Sequence, residues 1–161
     1  MNPWNMNVWK KYYINNRHRS GLRLKFDKEV DSEIKRAYID FAKWLRKGYP
    51  FPIRVVIYVK KHKYIRAMDG EMVSAVCFTP FNKDEEPYIK ISTGEYTDFL
   101  RIKEKDDVLY IFLVSMTHEL THYYQWINDL FDKIDNEKLE QQALRCAKII
   151  VRKYAETREH P

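Results

Sequence analysis

The sequence predicts a single α+β domain in the order helix, three strands, two helices, on three observations. The chain has 161 residues, enough for one core and too few for two independent domains. Its middle carries three short runs rich in Val, Ile and Tyr, separated by Pro and Gly as strands are. On either side of those runs lie stretches whose apolar residues recur at three- and four-residue steps, the period of buried helices.

Taken in order, Leu22, Leu24 and Phe26 alternate with basic residues and read as a short strand. Residues 31–47 read as a helix, with Ile34, Tyr38, Phe41, Ala42 and Leu45 on one stripe and Gly48 as the stop. Pro50 and Pro52 then reset the chain to an extended form. The three strands are 53–59, 72–79 after the Asp69-Gly70 turn signal, and 88–93 between Pro87 and Gly94. Their short connections favour a three-stranded, mainly antiparallel meander. Residues 106–129 form the next helix, with Leu109, Phe112, Leu113, Met116, Leu120, Tyr124 and Ile127 along one stripe. A last helix over 136–156 carries Leu139, Ala143, Ala147, Ile150 and Tyr154.

The formal net charge of +6 is unevenly placed. Residues 1–26 hold six bases and no acid, leaving 23 bases and 23 acids in the rest of the chain. The expected division is therefore a basic, aromatic N-terminal arm (1–26) and a neutral domain (27–161). Residues 1–7 lack the pattern of a secretory signal, and the longest apolar run, 108–116, is far below a membrane span, so no membrane association is expected. Cys77 and Cys146 could make at most one bridge, which excludes a disulfide framework and a Cys-based zinc site and favours a reduced cytoplasmic setting.

The chemistry concentrates in His118-Glu119-Leu120-Thr121-His122. On a helix, residues i and i+4 stand one above the other with Cβ atoms ~5–6 Å apart. Both imidazoles can then reach one ion at the ~2.0–2.1 Å of a Zn–N bond. Glu119 is turned about 100° away and can hold a water at the ion's open position, taking its proton as it attacks a carbonyl. With five His and twelve Glu in the chain, H-E-x-x-H arises by chance about one time in a hundred. Two surface histidines near a helix C-terminus are the ordinary alternative. The helical pattern runs on through Tyr123-Tyr124-Gln125-Trp126-Ile127, so the pair is mid-helix.

A catalytic zinc needs a third protein ligand. The extended H-E-x-x-H-x-x-G-x-x-H pattern would place Gly at 125 and His at 128, where the chain has Gln125 and Asn128, which excludes a metzincin arrangement. No His follows before His160, so a carboxylate from the next helix remains. Glu140 shares a face with Ala143 and Ala147, small residues that would let the two helices approach; Glu137 is the other candidate, although an acid near a helix start is favoured by the dipole alone.

Through His118-Glu119-Leu120-Thr121-His122-Tyr123-Tyr124-Gln125 and Glu140-Gln141-Gln142-Ala143, the chain resembles the gluzincins. It looks most like the small single-domain minigluzincins and short phage-borne or bacterial H-E-x-x-H metallopeptidases, over about residues 30–155. The resemblance implies a zincin-like fold, Zn2+ as cofactor, and a glutamate ligand on the helix after the motif. In many relatives Ala directly follows that glutamate, the place Gln142 takes here, whereas Glu140 stands three before Ala143.

A peptidase of this kind also needs a rim strand and a group that stabilises the oxyanion. Strand 88–93 is the expected rim, taking a peptide or protein substrate in extended form. Tyr154, His160 and Tyr123 are the oxyanion candidates, with Tyr154 first, and Gln125, one turn beyond His122, could hold an imidazole in place. The Lys60-Lys61-His62-Lys63 run reads as a solvated loop. Bases interleaved with Trp4, Trp9, Tyr12 and Tyr13 could bind nucleic acid, but four large aromatics are better packed on the body as a strap. The expectation is a zinc-dependent peptidase with His118, His122 and Glu140 as ligands and Glu119 as base. The alternative is an inactive binding or regulatory protein on the same fold, brought to nucleic acid by its basic arm.

Overall fold

The structure is a computed structural model and describes residues 1–15 and 17–161. After a 3-10 turn at Pro3–Asn5 come α1 (Lys10–Tyr13), β1 (Leu22–Phe26), α2 (Ser32–Gly48) and β2 (Val55–Lys60). Then follow β3 (Ile65–Arg66), β4 (Met72–Val73), β5 (Ala75–Phe78), β6 (Tyr88–Ser92), α3 (Tyr96–Leu100), α4 (Lys105–Ile127) and α5 (Asn136–Ala155). The architecture is mixed α and β, with a four-stranded sheet ordered β1-β2-β6-β5 and a separate two-stranded β3-β4 sheet. Among the described residues no helix is long and apolar enough to cross a membrane.

The mainly antiparallel, three-stranded meander expected from the sequence is not what forms. β1 pairs with β2 in parallel, β2 with β6 in parallel, and only β5 with β6 is antiparallel. The cause is long-range. A helix as long as α2 between β1 and β2 carries the chain back to its starting end, and the next strand must run the same way. The run 72–79 is interrupted at Ser74 into β4 and β5, and β5 is laid outside β6. Tyr88–Ser92 therefore has a partner on each side, and the edges of the sheet are Leu22–Phe26 and Ala75–Phe78.

Both long amphipathic helices start on side-chain caps: Asp31 accepts from the Glu33 N–H and Asp135 from the Lys138 N–H. α2 buries Ile34, Ala37, Tyr38, Phe41, Ala42 and Leu45. α4 is different, because it is enclosed on several sides by β5, β6, α2, α5 and the N-terminal turn. Thr117, Thr121, Gln125 and Asn128 are fully buried on it along with the expected apolar stripe. The Thr117 hydroxyl donates to Leu113 O at 2.7 Å and that of Thr121 to Thr117 O at 2.8 Å, which satisfies them within the helix.

The N-terminal residues close the last open side of α4. Trp4 is buried, its Nε1–H donating to Thr121 Oγ1 at 2.9 Å and its ring centroid lying 4.4 Å from that of Tyr124. Asn128 Nδ2–H donates to Pro3 O at 3.1 Å, and Asn128 Oδ1 accepts the Trp9 N–H at 3.2 Å. The Tyr12 hydroxyl reaches Asp129 and that of Tyr13 donates to Lys83 O. Trp4, Tyr13 and Leu22 join the same hydrophobic core as α2 and α4, and residues 22–26 are a strand of the main sheet.

Replacing Trp4 by Ala removes a buried indole and leaves the Thr121 hydroxyl without its donor. The expected loss is about 3–5 kcal/mol of unfolding free energy, checked by urea denaturation against wild type.

Candidate metal centre

α4 and α5 pack side by side, joined by a short turn in which Asp129 adopts φ 60° and residues 129–134 reverse the chain. Ala143 and Ala147 are fully buried on α5, so no long side chain holds the helices apart. This close approach brings Glu140 over the mid-helix histidines. Its Oε2 lies 3.0 Å from His118 Nε2 and its Oε1 lies 3.0 Å from His122 Nε2. One ligand atom from each of His118, His122 and Glu140 lies within 4.8 Å of the others. Tetrahedral coordination at ~2.0–2.1 Å sets ligand atoms about 3.4 Å apart, a spacing these side chains already approach. Glu140 is 61% exposed, against 22% and 14% for the two imidazoles, so the cluster opens to solvent on one side.

The His122 ring is oriented from behind. Its Nδ1 lies 2.8 Å from Gln125 Oε1, while Gln125 Nε2 donates to Leu139 O at 2.9 Å and to Gln142 Oε1 at 2.8 Å. Gln142 Nε2 donates in turn to Met1 O at 3.3 Å. With Nδ1 as the donor to Gln125, His122 presents the Nε2 lone pair to the cluster. In the sequence Gln142 stands out only as the residue aligned with the gluzincin glutamate. Its partnership with Gln125 spans two helices, and no local pattern reveals it.

The titration behaviour of the cluster follows from its enclosure. Burial lowers the His118 pKa, and the His122 charge adds to that; Glu140 acts in the opposite sense. A lowered value favours the neutral imidazole that a metal requires. Glu119 is pushed up to about 8, chiefly by burial and then by the Glu140 charge, with the Cys77 backbone N–H opposing. Glu119 thus stands between the cluster and edge strand β5, whose Cys77 thiol is itself pushed up by burial and by the Glu119 charge.

The oxyanion candidates do not join the site. Tyr154 lies fourteen residues beyond Glu140 on one straight helix, about 21 Å of rise. It is fully buried, with ring centroids 4.8 Å from Phe41 and 5.4 Å from Trp44, and serves as core where α5 meets α2. His160 pairs with Asp106 at the first turn of α4, some three turns before the motif. The Tyr123 hydroxyl donates to Ile53 O at 2.6 Å and is committed to the core. Glu137 accepts from Gln141 at 3.5 Å and stays outside the cluster.

Comparison with protein-family models, curated proteins and solved structures finds no match to this chain.

Two outcomes follow from the enclosure. In chelator, Glu119 keeps a proton when folded that the unfolded chain has lost above its ordinary 4.5, so folding stability falls as pH rises from there to about 8. Melting temperatures across that range should decline less steeply in Glu119→Gln than in wild type. Gln125→Leu removes the acceptor that fixes His122 and should weaken divalent-metal affinity about 10–100-fold in chelator competition.

Proposed function

We propose that this chain is a zinc-dependent peptidase of gluzincin type on a zincin-like fold. The observation that supports it is the convergence of His118, His122 and Glu140 within 4.8 Å, with Glu119 beside them and the free edge of β5 next to Glu119. The donor set fits the metal: two imidazoles and a carboxylate, open to solvent on one side, are the ligands of a catalytic zinc. When bound, the ion would supply a Lewis acid and a water of lowered pKa.

The chain's own residues have separate tasks. Gln125 fixes His122 in the tautomer that leaves Nε2 free. Glu119 takes the proton of the attacking water and returns it to the amine nitrogen as the peptide bond breaks. Glu119 must be ionised for this task; its carboxyl is pushed up to about 8 by burial, and the charge of a bound ion would favour the carboxylate. The substrate is an extended peptide or protein segment, added to the edge of Ala75–Phe78 by main-chain hydrogen bonds. With Cys77 and Cys146 both free, a reducing cytoplasm suits the protein.

Metal content and hydrolysis of an unstructured protein substrate test the assignment together. Wild type should carry one zinc per chain; His118→Ala and Glu140→Ala should lose it. Glu119→Gln should keep the zinc and lose activity by at least ~10²-fold. A wild-type protein that takes up no zinc after reconstitution would end the peptidase assignment.

A further inference from the structure

The four-stranded sheet has two unlike faces. Val55, Ile57, Val59, Ile89 and Ile91 point into the core and are buried. On the other face Tyr58, Phe78, Tyr88 and Lys90 stay half-exposed and Lys25 is exposed. The register places Lys25, Tyr58, Lys90 and Val76 in one row across the sheet, with Tyr88 and Phe78 paired in the row beside it. Cations and aromatic rings therefore alternate across this face.

The rings form a platform. Phe78 and Tyr88 are stacked, with centroids 4.9 Å apart and planes 23° from parallel, and Tyr58 meets Tyr88 edge-on at 6.1 Å. Lys25 and Lys90 hold their ammonium groups 5.9 Å and 5.7 Å from the Tyr58 and Tyr88 ring centroids. Arg66, on β3, overhangs the same side and helps enclose a groove of about 460 Å³ with Met68, Phe78, Tyr88 and Lys90.

Lys25, Arg66 and Lys90 are uncommitted, unlike the cations around them. Lys60 pairs with Asp27, Lys61 with Glu29 and Lys63 with Asp98, which neutralises the lysine run after β2. On the N-terminal segment Lys11 pairs with Asp129 and Arg19 with Glu86. Among the described residues Lys25, Arg66 and Lys90 have no carboxylate partner, and no Asp or Glu occupies an outward position on the four strands.

We propose that this sheet face binds single-stranded nucleic acid, stacking bases on Tyr58, Phe78 and Tyr88 and pairing phosphates with Lys25, Arg66 and Lys90. A single strand offers what the face accepts, flat aromatic rings alternating with anions. A duplex keeps its bases stacked on each other and out of reach of a flat platform. An acidic peptide would use the cations and leave the rings idle. The rings stand on the sheet face turned away from the core that holds α4, although the groove also takes in Cys77 beside Glu119; binding is therefore measured on metal-free protein.

Fluorescence anisotropy of labelled (dT)15 and (rU)15 with the full chain tests this, with circular dichroism melts confirming that each variant folds. Binding at low salt is expected, weakening steeply as salt rises. Lys25→Gln with Lys90→Gln should lower the slope of log affinity against log salt by about 1.4. Tyr58→Leu should weaken binding about fivefold or more with the slope unchanged. Lys10→Gln with Lys11→Gln, on the N-terminal segment, should leave affinity within twofold. Equal affinity for the two probes assigns the site to single strands of either sugar; a preference above tenfold assigns it to the preferred one. Absence of binding at low salt would overturn the proposal. So would unchanged affinity in the folded Lys25/Lys90 variant, equally tight binding of a 15-base-pair duplex, or displacement of the probe by poly-glutamate as readily as by unlabelled oligonucleotide.

Discussion

The carboxamide of Gln125 is fully enclosed and can face only one way. Leu139 O is a backbone carbonyl and only accepts, so the nitrogen end of the amide must point to it. That turns Oε1 toward His122, whose Nδ1 must then carry the proton. Flipping the amide would set N–H against N–H at the histidine and oxygen against oxygen at Leu139, leaving buried groups unpaired at a cost of ~1–3 kcal/mol each. The tautomer of a neutral candidate metal ligand is thus fixed by a hydrogen-bonding demand of the neighbouring helix. Everything else at the cluster depends on α4 and α5 keeping the separation that lets this amide bridge them.

That separation comes from packing. Ala143 and Ala147 permit close approach, and the N-terminal turn presses on the far side of α4 through Trp4 and Pro3. A helix buried on several sides cannot leave polar side chains idle, and Thr117, Thr121, Gln125 and Asn128 all find partners. Of these, Thr121 lies inside the H-E-x-x-H segment and bonds to Trp4. Stability and the geometry of the cluster therefore share the same residues.

The local features were legible in the sequence. The periodicity of residues 106–129 and 136–156 matches α4 and α5 closely, because an amphipathic stripe is written in consecutive turns. The spacing of His118 and His122 and the small residues near Glu140 point to the three side chains that converge, but leave Glu137 beside Glu140 as a candidate. Strand order was not legible, since nothing between residues 70 and 93 says that β5 lies outside β6. Local alternation suggests a rim at 88–93, but the sheet order puts Ala75–Phe78 at that edge. Tyr154 shows the same limit: its residue type suits an oxyanion, but helical rise carries it away from the cluster. The open, basic face of the sheet also needed the parallel register of β1 with β2, which sets Lys25 beside Tyr58.

The strap across α4 also has a consequence for biosynthesis. Trp4 bonds to a residue 117 positions later, and Pro3 to one 125 positions later. The ribosome delivers Pro3 and Trp4 long before α4 exists to receive them. At ~5–20 residues per second the nascent chain carries an unhoused indole for several seconds or more. Contacts so distant in sequence also close late in folding, because the intervening loop must be ordered first. A segment made well before α4 is therefore among the last to be seated, and its seating completes the enclosure of the helix that bears both histidines.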